Sequence, residues 1–459
     1  MKAGRRAIAM HCRANRRSPP GGDRRKHLRP HHRPHKFTQR SMSMNIKECM
    51  DFISSYTKTG GRITDLSRAQ ELMERIGNPE KRLKFVHIAG TNGKGSTLEY
   101  ISNALIISGY RTGQFTSPYV LRYNDRIRIN GEEIPDDELC VIAEKVREAV
   151  QERPYSQFEI TMAIALLWYE EKQCDVVVFE TGMGGLLDST NVIPPPLVSV
   201  ITSISLDHTA ILGNTVEEIA VQKAGIIKGG SAVILSEDNP PSVAEIVRKT
   251  AEERGAEYIS CEPCKPYADG GLFAPFMYRG IKLTPAMAGV HQKYNAQTAI
   301  TACLYLRKKG FEISDRSIIE AVETTQVKAR VQYIDGEPPV IVDGGHNPAG
   351  VGMLALMMMY LSTRGKKIYT VMGMVDSKDY VDCVKTIARH SDGLIAVEGF
   401  APNAVPAQNI VDIASFYTEA ETGSLSEAVE KAKALAKEND GVAVISGSLY
   451  LASEYLNMK

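Results

Sequence analysis

Seven consecutive residues, Gly90-Thr91-Asn92-Gly93-Lys94-Gly95-Ser96, combine what a phosphate cradle needs. Glycines let backbone N–H groups converge on phosphate oxygens, a helix N-terminus adds positive potential, and Lys94 supplies a full charge. The spacing departs from the common P-loop. That pattern wants Gly where position 88 is Ile, and Gly95 here separates Lys94 from Ser96. A tight strand-to-helix turn also suits a glycine-rich loop, but Lys94 and Ser96 favour phosphate.

Further chemistry-bearing residues stand where apolar runs end. Thr116-Ser117-Pro118 offers the Ser117 hydroxyl to Mg²⁺, a hard cation that takes few protein oxygens and keeps several waters, although Ser-Pro also simply starts turns. Glu180 closes an all-apolar run and precedes Thr181-Gly182-Met183-Gly184-Gly185, the place for a metal-binding carboxylate. Asp207-His208 either completes a metal shell or caps a turn. Lys223, near the end of a helical pattern, either complements the helix dipole or lies buried with its neutral amine favoured. A neutral amine reacts with CO₂ to give a carbamate anion. In Asp343-Gly344-Gly345-His346-Asn347-Pro348, Asp343 suits a ribose hydroxyl and His346 a phosphate or reacting carboxyl group.

The elements that must position these residues are strands alternating with helices. Strand candidates are 85–89, 111–115, 175–179, 198–204 and 231–235, with helical patterns such as 158–171 and 216–227 between them. A second series (339–342, 367–372, 393–397, 442–445) follows a connector at 322–332. The expected architecture is α/β: a P-loop ATPase domain with a parallel-rich sheet, then a smaller Rossmann-like α/β domain. Parallel sheets bind ligands beyond the carboxyl ends of their strands, where the residues above fall. The expected division is 1–43, 44–328 and 329–459.

Composition narrows the class. Residues 1–43 hold 13 Lys/Arg against a single acid, Asp23, together with five of the ten histidines and four prolines, so the rest of the chain is net acidic. That argues against a nucleic-acid surface on the body of the protein. The first 43 residues lack apolar periodicity and a signal-peptide core and read as a disordered basic extension, or as translated sequence upstream of a start at Met42 or Met44. No apolar run is long enough to span a bilayer. Eight scattered cysteines, with one close pair at Cys261 and Cys264 and no zinc spacing, suit a reduced cytoplasmic setting.

Together these residues resemble the folylpolyglutamate synthase/dihydrofolate synthase family of the Mur ligase superfamily. The likeness runs from about Met44 to the C-terminus through stretches 87–96, 115–118, 125–127, 158–159, 180–191, 206–208, 222–228, 291–295, 343–348, 376–380 and 447–451. It implies an ATP-dependent amide ligase with a Mur-ligase-type ATPase domain, acting by an acyl phosphate. L-Glutamate is added to folate, to dihydropteroate, or to both. The implied ATP-binding residues are the loop from Gly90 to Ser96, Asn295, Arg330 and Asp343. Implied metal ligands, for two Mg²⁺ ions, are Ser117, Glu180 and His208. Lys94, a carbamylated Lys223 and His346 carry the implied catalysis, a monovalent cation accompanies the site, and the enzyme acts as a monomer. This chain departs from the family pattern at Tyr119 (usually His), at Leu186 (usually Arg), at Val327-Lys328-Ala329-Arg330 (commonly Trp-Pro-Gly-Arg) and at Pro402-Asn403-Ala404 (commonly Pro-Arg-Ala).

Three other readings compete. A cell-wall Mur ligase carries a UDP-binding domain before its phosphate loop, and only 46 residues separate Met44 from Gly90. A regulatory ATP-binding protein has no need to retain Glu180, His208, Lys223 and Asp343 together. An enzyme restricted to dihydrofolate synthesis shares every ATP motif and is separated only by assay.

Overall fold

The computed structural model describes residues 44–56, 64–151, 153–267, 271–376 and 379–458. The expected basic extension and the Ser377-Lys378 part of the 376–380 stretch lie outside them.

The first sheet is built from β1 (Phe85–Ala89), β2 (Thr112–Phe115), β3 (Ile127–Ile129), β4 (Glu132–Glu133), β5 (Val176–Glu180), β6 (Val198–Ile201), β7 (Ala232–Leu235) and β8 (Glu257–Ile259). Its order is β4-β3-β2-β5-β1-β6-β7-β8. Six strands, β2 to β8 across β5, β1, β6 and β7, run parallel, and the β3–β4 hairpin adds an antiparallel edge. Strands β1 and β5 are buried along their whole length, as both-faces-covered parallel strands must be.

Alternation sends successive side chains to opposite layers. Phe85, Phe115 and Phe179 pack on one face with Ile160 and Ile164 of the helix Gln157–Glu171. Val86, Ile88 and Val178 pack on the other with Leu98, Ile101 and Leu105 of the helix Lys94–Ile107 and Ile300 of the helix Gln292–Lys308. A small antiparallel sheet, β9 (Lys265–Pro266), β10 (Phe276–Tyr278) and β11 (Ile281–Leu283), flanks that layer.

The second sheet comprises β12 (Gln332–Ile334), β13 (Val340–Asp343), β14 (Ile368–Met372), β15 (Gly393–Ala396), β16 (Ala420–Thr422) and β17 (Val442–Ser446). Its order is β12-β13-β17-β14-β15-β16, parallel except for β12. Helices Pro348–Ser362, Tyr380–Ala388 and Ala407–Ala414 cover one face; Leu425–Glu438 and Leu449–Asn457 cover the other. Among the described residues no helix is long and apolar enough to cross a membrane.

Two local expectations are refined. The connector at 322–332 is not all connector, because the helix Asp315–Thr324 enters it and Gln332 opens β12. Three residues of half-buried strand are too short to show an alternating pattern. The helix expected over 216–227 stops at Ala224, since Gly225 turns beneath Leu186; a Cβ on Gly225 would lie 2.3 Å from the Leu186 Cα.

Candidate active site

The glycine-rich loop leaves the carboxyl end of β1 and enters the helix Lys94–Ile107. Gly93 is the N-cap residue and holds φ 85°, a region closed to most side chains. A Cβ there would also sit 2.3 Å from Asn295 Oδ1, and one on Gly90 would sit 1.8 Å from Thr202 Oγ1. Both glycines thus permit close approach of a neighbouring side chain. The loop is pinned to the chain beyond β6. The Thr91 N–H donates to the Ser203 carbonyl (2.8 Å), and the Thr202 hydroxyl donates to the Asn92 carbonyl (2.7 Å). Thr202 and Ser203 escaped the sequence reading because serines and threonines after a strand carry no distinctive signal.

Two ammonium groups share one carbonyl. Gly90 O accepts from Lys94 Nζ (3.1 Å) and from Lys223 Nζ (2.8 Å). Lys94 also donates to Thr91 O (3.3 Å) and lies 3.8 Å from Glu180 Oε1. Burial and the Lys94 charge push the Lys223 amine down to about 7, against the opposing pull of Asp207 and Asp188. Glu180 is buried, and burial raises its carboxyl; Lys94, Arg330 and the Ser117 N–H (3.4 Å) work against that rise. Strand ends β1, β2 and β5 therefore bring Lys94, Ser117 and Glu180 together, as the sequence implied, and the helix Val216–Ala224 adds Lys223.

Behind them lies a buried polar chain. Asp188 accepts from the Met183 N–H (2.7 Å), the Thr190 N–H (3.0 Å) and the Thr190 hydroxyl (2.5 Å), which ties down the glycine loop after Glu180. Thr190 Oγ1 in turn meets His87 Nε2 at 2.8 Å. Burial and the Lys228 charge push His87 down to about 3, which favours the neutral ring, and because the Thr190 hydroxyl already donates to Asp188, Nε2 is the donor. Asp188 stood inside a recognised stretch without being singled out. Its signal was an acid immediately before Ser-Thr-Asn, the N-cap of the turn Ser189–Val192.

His208 takes the turn-capping position. It holds φ 50° at the head of the short helix Thr209–Leu212, its side chain is 39% exposed, and its Nε2 lies 3.9 Å from Asp207 Oδ1. No group of three or more His, Cys, Asp or Glu among the described residues is placed to grip a metal ion. Glu180 with Ser117 nonetheless suits Mg²⁺, whose shell needs only one or two protein oxygens.

From the second sheet, Asp343 ends β13 with both oxygens engaged, one by the Val331 N–H (2.8 Å) and one by the Gly345 N–H (2.9 Å). Burial raises its carboxyl, while those bonds and Arg330 oppose the rise. Arg330 stands between two left-handed residues, Ala329 (φ 55°) and Val331 (φ 48°). A β-branched residue there costs about 1–3 kcal/mol, a strain usually met at functional sites. Its charge favours the ionised form of both Glu180 and Asp343. His346 Nδ1 meets the Gly344 carbonyl at 3.0 Å, which leaves Nε2 as the ring's basic nitrogen. Asn295, in the helix packed over the loop, donates to Gln292 Oε1 (3.0 Å).

Residues 88–303 match the Mur ligase middle domain, and residues 329–449 match the Mur ligase glutamate ligase domain. The chain is 34% identical to the dihydrofolate synthase/folylpolyglutamate synthase of Bacillus subtilis, over 85% of this chain and 93% of that one. It belongs to that family. The folylpolyglutamate synthase of Lacticaseibacillus casei is 33% identical over 89% of this chain and 97% of its own length. Among solved structures of the family, E. coli FolC in complex with DHPP and ADP superposes with a TM-score of 0.80 at 25% identity, covering 91% of this chain and 98% of that one. The apo form of L. casei FPGS gives 0.76 at 30% identity, covering 90% and 99%.

Proposed function

We propose that the protein is an ATP-dependent carboxylate–amine ligase that adds L-glutamate to dihydropteroate, to reduced folates, or to both. The observation that carries this reading is the convergence of Lys94, Lys223 and Glu180 on the carboxyl end of the first sheet, around one carbonyl of a glycine loop. The functional division is 44–328 for nucleotide binding and 329–459 for the ligase half, and the enzyme works as a cytoplasmic monomer.

The reaction has two steps. A carboxylate oxygen of the folate substrate attacks the γ-phosphorus of ATP; the new O–P bond replaces the β–γ bridge, and ADP leaves. The α-amine of glutamate then attacks the acyl carbon, a C–N bond replaces the C–O bond, and inorganic phosphate leaves. Such catalysis is positioning plus charge neutralisation. The loop amides and Lys94 hold the phosphates, Asn295, Arg330 and Asp343 hold the nucleotide, and His346 takes the amine proton. Glu180 and Ser117, joined by His208, would hold Mg²⁺, which would supply charge neutralisation at the phosphates. Lys223, its amine pushed to about 7, adds CO₂ with loss of a proton and presents a carbamate anion in place of a second ammonium.

The test is full-length protein with ATP, Mg²⁺ and labelled glutamate, offered dihydropteroate or a reduced folate separately. Labelled product with at least one supports the reading and names the substrate. ATP binding without ligation of either overturns it in favour of a regulatory ATP-binding protein.

A further inference from the structure

One buried side chain ties the two sheets together at the site. Asn347, 3% exposed, is the N-cap of the helix Pro348–Ser362 on the second sheet. Its Oδ1 accepts from the Gly350 N–H (2.8 Å) and from Asn92 Nδ2 (3.3 Å). Its Nδ2 donates to Asn92 Oδ1 (3.3 Å) and to Asp207 Oδ2 (3.1 Å). Asn92 belongs to the phosphate loop and lies 255 residues away in sequence; Asp207 belongs to the turn beyond β6. Two neighbours independently fix the amide orientation, because the Gly350 N–H only donates and the Asp207 carboxylate only accepts.

Helix capping alone does not explain this residue. Capping needs one acceptor oxygen, and Asp, Ser or Thr supplies it equally well. Only Asn adds the two donors that reach the first sheet. We infer that Asn347 is a positioning residue whose amide latches the second sheet onto the phosphate loop and the Asp207 turn, so that domain closure and the arrangement of the phosphate cradle are set together. The inference rests on the ligase reading for its catalytic consequence, but not for the latch itself.

Asn347→Asp separates the two roles. The carboxylate still caps the helix, while both donations are lost and a second carboxylate faces Asp207. In the full chain, thermal stability should stay near wild type. The radius of gyration by small-angle scattering should grow, and affinity for ADP, read by calorimetry, should fall about tenfold. Under ligase conditions kcat should fall further than KM for the folate substrate. Adding Asp207→Asn to Asn347→Asp restores a donor opposite an acceptor and should recover most of the compaction and affinity; Asp207→Asn alone should not improve either. Wild-type compactness and ADP affinity in Asn347→Asp overturn the latch. So does a loss accompanied by a collapse in thermal stability that Asp207→Asn leaves unrelieved. Compaction and ADP affinity need no ligation, so failure of the latch is distinguishable from failure of the ligase reading.

Discussion

The carboxyl ends of the two sheets solve opposite problems with similar residues. At the first, Glu180, Lys94 and Lys223 are largely withdrawn from water with few protein partners: the Ser117 N–H at 3.4 Å and the Lys94 ammonium at 3.8 Å for the carboxylate, and loop carbonyls for the two lysines. At the second, Asp343 is just as buried, yet both of its oxygens are engaged by nearby backbone N–H groups at 2.8 and 2.9 Å. The first arrangement takes up little of the bonding capacity of its charged groups within the chain, as the proposed phosphate site requires. The second holds backbone, fixing the left-handed residues that aim Arg330. Glycine-flanked acids at strand ends therefore differ in how much of their bonding capacity the chain itself takes up.

That division is broken most directly at Lys94. Lys94→Ala removes the cation nearest Glu180 and should lower kcat by about 10²–10³-fold or more, the usual cost of one preorganised charge or donor. Thermal unfolding should move little, since the lysine's hydrogen-bond partners are loop carbonyls and the Glu180 carboxylate 3.8 Å away, already raised by burial, takes up a proton when the cation is gone. Steady-state kinetics beside a melting curve check both halves. A near-normal kcat would place the phosphate chemistry elsewhere.

Lys223 sharpens the same contrast through pH. In CO₂-free buffer its amine is lowered to about 7 from the usual 10.5, so between those values the unfolded chain binds a proton that the folded chain does not. Stability should therefore rise from pH 7 to 10.5, and the lysine's cost should be greatest and constant below pH 7. Lys223→Met removes that slope, with a difference at pH 7 on the order of 4 kcal/mol. Urea unfolding of both proteins across pH 7 to 10 measures it. Parallel pH profiles would show that the buried amine is compensated in the folded state.

Asp343→Asn tests the other side. The amide offers an NH₂ group to a backbone N–H, so one buried bond is lost at a cost of about 1–3 kcal/mol. Because the loss loosens Val331 and Arg330 but leaves the phosphate loop intact, KM for ATP should rise roughly tenfold while kcat changes less than about threefold. A kcat defect as large as that of Lys94→Ala would place Asp343 among the groups that touch the reacting atoms.

Much of this was readable in the chain, and the failures have physical causes. Phe85–Ala89, broken only by His87, and Val176–Phe179 are apolar runs because parallel strands are covered on both faces, so β1 and β5, with Glu180 at the end of β5, stand out. β12 and the β3–β4 hairpin do not, because two or three half-buried residues establish no period. The candidate residues at or just beyond strand ends, Lys94, Ser117, Glu180 and Asp343, are picked out by position. His208 sits at the expected place, yet its left-handed backbone serves the turn as much as any ligand. Asn347 was hidden for another reason. Its importance lies in what it accepts and donates across 255 residues of sequence, in the Asn92–Asn347 contacts, and one-dimensional spacing holds no trace of such a pairing.

The smallest expected effect lies outside both strand ends. Tyr119 replaces the family's usual His, and its ring is 39% exposed beside Arg126, whose guanidinium lies 5.2 Å from the ring centroid, and Tyr123, at 6.5 Å. An exposed cation–π contact is worth about 0.5–1 kcal/mol, equivalent to a change of about two- to fivefold in an equilibrium constant. Tyr119→His should therefore shift KM for the folate substrate by no more than about fivefold and leave KM for ATP within about twofold. The two constants measured on one preparation decide the matter. The ring touches none of Lys94, Glu180 or Lys223, so a large rise in KM for ATP would mean that the loop after Ser117-Pro118 transmits to the phosphate cradle through Ser117 N–H and Glu180, and the separation between chemistry at the strand ends and selectivity in the loops would fail there.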